Sequence, residues 1–175
     1  MILINLSFEA LAKIILLLLL LSPSSIHVKA QHKTNNLISD TCKRTLNYAL
    51  CVSTLRSNPS SSTADVAGLG FIVVETIKAK STACIKSMNE LSRSNPILKR
   101  RVSECLESYK NILNDFIPEA EQGPPKFAED GMKGVAQVTE KCVKIFQGLE
   151  APLTTTNKLV HDLSLVAAAI IRTML

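Results

Sequence analysis

From Ser62 to the C-terminus, apolar residues return every third or fourth position, and no useful stretch alternates in twos. That pattern makes amphipathic helices and leaves no strands from which to build a sheet. The first stripe is Val66, Leu69, Val73, Ile77, Cys84, Met88 and Leu91, behind a helix cap at Ser62 or Thr63 with Asp65 in the first turn. Asn95-Pro96 starts the second stripe, Leu98, Val102, Cys105, Tyr109, Ile112 and Phe116, which Pro118 and Gly123 end. The third is Ala128, Val135, Val138, Cys142, Ile145 and Leu149, weakened near its start by Gly131 and Gly134 and closed by Pro152. The fourth runs through Val160, Leu163, Ala167, Ile170 and Met174. Four helices with one apolar face each, joined by short Pro/Gly/Asn breaks, predict an all-α, up-down-up-down four-helix bundle over 62–175.

The N-terminus reads differently. Lys13 precedes an unbroken apolar run from Ile14 to Leu21, and Pro23, three serines and Val28-Lys29-Ala30 follow. The run is far short of the ~18 residues that span a bilayer, and small residues at Val28 and Ala30 suit cleavage after Ala30. Residues 1–30 therefore read as a secretory signal peptide and 31–175 as one helical domain. Losing Lys13, Lys29 and Glu9 takes the net charge from +5 to +4. The balance is mildly basic, with both signs spread along the chain and no aromatic interleaving of the nucleic-acid-binding kind. No N-glycosylation sequon lies beyond residue 30, since Asn58 is followed by Pro59.

Five cysteines, Cys42, Cys51, Cys84, Cys105 and Cys142, suggest disulfides in a secreted chain, with one left over. Spacing alone leaves the pairing open. On one continuous helix, Cys42 and Cys51 would stand about 13.5 Å apart, whereas a disulfide needs about 4.4–6.8 Å. If they pair, the chain folds back near Asn47, and 36–56 is a small stapled helical hairpin. Cys105 and Cys142 lie on the stripes of neighbouring helices; bridging them would add about 4 kcal/mol by loop closure. Cys84 lies on a core stripe between Ile77 and Met88, which suits a buried free thiol acting as a small hydrophobe.

Little here suggests catalysis. Beyond residue 30 the histidines are His32 and His161, and no G-x-S-x-G, H-E-x-x-H or C-x-x-C occurs. His161 reads as an exposed helix residue. Glu104, Glu107, Glu129 and Asp130 read as ordinary solvated helix acids. The expectation is a protein that is not an enzyme, with no metal, no cofactor and no nucleic-acid or membrane partner. The C-terminal "LSLVAAAIIRTML" contains Arg172 and keeps the helical period, so it reads as the last bundle helix rather than an anchor tail. "NPIL" at 95–98 loosely resembles a plant vacuolar sorting signal, but asparagine followed by proline reads as a helix start.

Taken together, several features resemble the plant invertase and pectin methylesterase inhibitor family. They are the signal peptide, Cys42 with Cys51, "CLESY" at 105–109, Cys142 in "TEKCVKIF" and "PLTTTNKLVHDLSLVAAAII" at 152–171. The resemblance covers about residues 38–175. It implies a four-helix bundle preceded by a helical hairpin, with Cys42 bridged to Cys51, Cys105 to Cys142, and Cys84 left free.

"PKFAEDG" at 125–131 resembles the invertase-inhibitor branch, in which a Pro-Lys-Phe loop between helices enters the active site of an acid invertase (β-fructofuranosidase). By that resemblance, Pro125, Lys126 and Phe127 are the target-binding residues of a one-to-one complex that blocks sucrose entry. The implied destination is the apoplast or cell wall, alternatively the vacuole. A pectin methylesterase inhibitor, which grips its target through helix faces, and a non-inhibitory secreted helical module are the alternatives.

Overall fold

The computed structural model describes residues 13–17, 36–147 and 152–175. The chain divides into two compact units, 1–33 and 34–175. In the first, the described residues 13–17 are helical and exposed; the rest of the proposed signal peptide, with its cleavage region, lies outside the described residues. The described residues are helical, without strands. None of their helices is long and apolar enough to cross a membrane.

The second unit begins with a hairpin of α1 (36–42) and α2 (Tyr48–Arg56). Asn47 sits at the bend and caps α2, its Oδ1 accepting from the Leu50 N–H at 3.1 Å. The bend brings the Cα atoms of Cys42 and Cys51 to 5.6 Å, and the two are joined in a disulfide. Ile38 and Leu55 are buried beside it. A hairpin this small cannot bury a core alone, and it packs on α3 (Val66–Ser94) and on α7 (Pro152–Arg172).

α3 starts later than its sequence suggests. Residues 59–62 form a 3₁₀ turn after Pro59, and the cap is Asp65, which accepts from the Gly68 N–H at 2.8 Å. Asp65 also puts a negative charge at the positive end of the helix dipole, which Ser62 and Thr63 cannot do. At the far end Asn95 closes α3 with its N–H on the Leu91 carbonyl. Its side chain accepts from Ile97 and so starts the next turn.

The second bundle helix is continuous in direction but not in register. α4 (Lys99–Asn111) passes into a π turn at 112–116 and then α5 (Ile117–Gln122). Contrary to the sequence expectation, Pro118 does not end the helix. The wider π turn, in which the Ile117 N–H bonds the Ile112 carbonyl, absorbs the place where a proline lacks an N–H and would crowd the preceding turn. Gly123 ends it: a Cβ there would lie 2.5 Å from the Glu119 carbonyl oxygen, so only glycine lets the chain turn so close. α6 (Pro125–Ile145) follows and packs most extensively on α7, which also covers α3.

Leu69, Val73, Ile77 and Met88 of the first stripe are wholly buried, with Val102, Tyr109, Val135, Leu163 and Ile170 from the other three. Cys105 and Cys142 meet across α4 and α6, Cα atoms 5.5 Å apart, in the second disulfide. Cys84 is free and buried. Its thiol approaches the Asn157 amide oxygen at 3.6 Å, and the Tyr109 hydroxyl donates to the same oxygen at 2.7 Å. Burial pushes the Cys84 thiol up to about 11, so it stays protonated and unreactive.

Candidate functional site

Pro124 and Pro125 form the entry to α6. Pro124 is extended (φ −57°, ψ 154°), and Pro125 takes the first helical position, where a missing N–H costs nothing. Lys126 and Phe127 therefore lie in the first turn of a helix rather than on a loop. The sequence reading of a loop fails because two prolines fix backbone angles that suit helix entry as well as a corner. Phe127 is 55% exposed and the Lys126 side chain 59%. No side chain caps the start of α6.

Lys126 belongs to an ion cluster. Its Nζ donates to Asp130 at 3.0 Å and stands 3.8 Å from Glu129. The bond to Asp130 holds the Lys126 ammonium above its ordinary pKa. Glu129 is not the solvated acid that its sequence suggests. Its side chain is buried, 3% exposed, and accepts from Lys133 at 2.6 Å and from Arg172 Nε at 2.7 Å. Those two bonds draw its carboxyl down to about 2. Lys133 also lies 3.6 Å from Asp130. Two carboxylates thus face three cations. Lys133 and Arg172 satisfy Glu129 and Lys126 pairs with Asp130, so the cluster keeps one net positive charge.

Beside the motif, Phe71 and Val74 of α3, Ala120, Pro125, Ala128 and Ile171 line an open groove of about 370 Å³. Phe71, 49% exposed, brings a second aromatic to this end of the bundle. Glu121, also on the groove, pairs with Lys78 at 2.6 Å and ties α5 to α3. No group of three or more potential metal ligands occurs among the described residues.

A family model described as "Plant invertase/pectin methylesterase inhibitor" matches residues 36–170, most of the chain. The chain belongs to that family. It is 40% identical over 139 residues to the cell wall / vacuolar inhibitor of fructosidase 1 of Arabidopsis thaliana, an alignment covering 77% of this chain and 67% of that protein. A pectinesterase inhibitor of Actinidia deliciosa is 32% identical over 66% of this chain and 63% of its own length. Among solved structures, a mutant form of a pectin methylesterase inhibitor from Arabidopsis shares the fold at a TM-score of 0.67 and 17% identity, covering 77% of this chain and 95% of that one.

Within the family frame, Pro125, Lys126 and Phe127 come together on one helical turn. His161 lies away from them on α7 and is half-buried, its Nδ1 2.9 Å from Asp162. Glu129 was missed by sequence reasoning. Its only sequence signal was Lys126 three residues before it and Lys133 four after; Arg172, which completes the site, is 43 residues away. Asn157 was missed as well, because an asparagine inside "TTTNKL" carries no mark of burial.

Proposed function

We propose that this chain is a secreted protein inhibitor of a plant acid invertase, binding one-to-one with Pro125, Lys126 and Phe127 at the mouth of the enzyme's active site. The observation that carries the reading is the exposed Lys126-Phe127 pair: both stand on a helix start whose backbone angles two prolines restrict, in an ion cluster with one net positive charge. The match to an inhibitor of fructosidase supports the target class. An acid invertase, as a retaining glycosidase, holds two carboxylates about 5–5.5 Å apart around an oxocarbenium-like transition state. A Lys ammonium offered there replaces that positive charge. The uncapped N-terminal N–H groups of α6 add positive potential in the same direction. Phe127 contributes aromatic area with few rotors to freeze, and the prolines reduce the entropy lost on docking.

The signal-like leader supports secretion, and the cell wall is the proposed destination, with the vacuole as the alternative. The second reading is inhibition of pectin methylesterase, favoured by the relative from Actinidia and by the shared fold. Sucrose hydrolysis by an acid invertase and ester hydrolysis by a pectin methylesterase, each titrated with the protein, separate the two. Stoichiometric loss of invertase activity alone supports the proposal. Loss of esterase activity alone moves the target to pectin methylesterase. Loss of neither leaves a helical module without these targets.

A further inference from the structure

Glu129 is a buried acid that serves two helices at once. Lys126 Nζ stands 3.8 Å from its Oε2, and Arg172 Nε donates to its Oε1 at 2.7 Å. One carboxylate therefore brackets two cations, one from the first turn of α6 and one from the last turn of α7. The end of α7 meets the motif in a second place as well. Ile171 and Met174 line the same groove as Pro125 and Ala128. The two cations are near enough that the Arg172 charge opposes the rise that Asp130 causes in the Lys126 pKa.

The bond to Glu129 leaves most of the guanidinium unused. Glu129 is buried, whereas the Arg172 side chain is 63% exposed. Arg172 commits Nε, one of the five N–H donors of a guanidinium. It makes no other hydrogen bond or ion pair among the described residues. A cation in the last turn of α7 suits the helix dipole, but a lysine would serve that end as well. What arginine adds is a planar fork that pairs with a carboxylate through two parallel bonds. The Nη groups are left for a carboxylate from outside the chain.

The chemistry fits what the proposed target offers. A retaining glycosidase presents two carboxylates about 5–5.5 Å apart. Lys126 supplies one ammonium, a single point charge. Two cations held on either oxygen of Glu129 can answer two carboxylates, and Glu129 offsets the repulsion between them. We infer that Arg172 is a target-binding residue beside Pro125, Lys126 and Phe127, its guanidinium and the Lys126 ammonium together meeting the carboxylate pair of the enzyme. Glu129 is then a positioning residue, which sets the spacing of the two cations from beneath. The inference rests on the invertase reading and extends its contact from one turn of α6 to the end of α7.

The test is inhibition of an acid invertase by the parent, Arg172→Gln, Arg172→Lys, Lys126→Ala and the double variant, with melting curves to show that each is folded. Arg172→Gln should raise the inhibition constant about tenfold or more. Arg172→Lys keeps the charge and loses the fork, so it should recover only part of that loss. If Arg172 did no more than hold Lys126 in place through Glu129, its removal would cost nothing once residue 126 is Ala. A direct contact predicts that Arg172→Gln still weakens inhibition about threefold or more in the Lys126→Ala background. Added salt should weaken the parent more than it weakens Arg172→Gln. Lys110→Gln removes an equal charge from an exposed pair with Glu107 and should stay within about twofold of the parent. Where Arg172→Gln does not fold, Arg172→Lys, alone and on Lys126→Ala, carries the same comparisons. A parent-like constant for Arg172→Gln, full recovery by Arg172→Lys, or no loss beyond that of Lys126→Ala each overturns the inference and leaves the invertase reading standing. A parent that does not inhibit invertase overturns both.

Discussion

Lys126 and Phe127 are exposed and support no core, so their removal should change binding and not folding. Lys126→Ala should raise the invertase inhibition constant at least about thirty-fold, because a charge pair buried at an interface loses its partner. Phe127→Ala should raise it about fivefold or more if the ring is an anchor. Inhibition titrations beside melting curves check both; superimposed titrations for Lys126→Ala and the parent would return the contact to a helix face. Lys126 stays charged at every acidic pH, so inhibition should weaken only where the target's carboxylates become protonated. Cys84 makes the contrasting case. Cys84→Ser keeps a donor near the Asn157 oxygen but is smaller and costs more to desolvate, so the loss should be about 1 kcal/mol of stability with inhibition intact. Lost inhibition with an unchanged melting curve would move Cys84 from core to function.

At the level of elements, Glu129 ties the start of α6 to the end of α7. Its carboxyl sits near 2 in the folded chain against an ordinary 4.5, so its contribution is fully present above about 4.5 and is lost as pH falls towards 2. Glu129→Gln should therefore destabilise the protein at pH 6 and shrink the difference from the parent between pH 4.5 and 2. Chemical denaturation across that range measures it, and parallel acid limbs would show that Glu129 does not link folding to pH. On the proposed reading, Asp130 should act in the opposite sense on inhibition. It holds Lys126 at 3.0 Å along α6, and Lys133 lies 3.6 Å from it. Asp130→Asn should tighten inhibition about twofold, the usual size of an exposed helical pair. Weaker inhibition would mean that Asp130 aims the lysine rather than competing for it.

For the molecule as a whole, the Cys105–Cys142 bridge spans 37 residues and joins α4 to α6. Replacing both cysteines by Ala should cost about 4 kcal/mol in the chain-entropy model, a fall in Tm on the order of 8–16 °C for a domain of this size. A scanning-calorimetry shift of only a degree or two would show that core packing holds the two helices without the bridge. The helices, their apolar faces and the core places of Leu69, Ile77, Cys84 and Tyr109 were legible in the sequence, because a helix sets its own period through bonds between residues four apart. Their ends were less so: the Asp65 cap and the passage through Pro118 depended on competing local bonds of similar strength. The sequence by itself determined an all-helical chain with one apolar face per helix and an exposed Lys-Phe pair. Only the tertiary structure decided that Glu129 is buried, that Arg172 reaches it from α7 and that Asn157 accepts from Tyr109 and Cys84. Each of those depends on a partner brought from another helix, and no local periodicity records which distant residue will meet which.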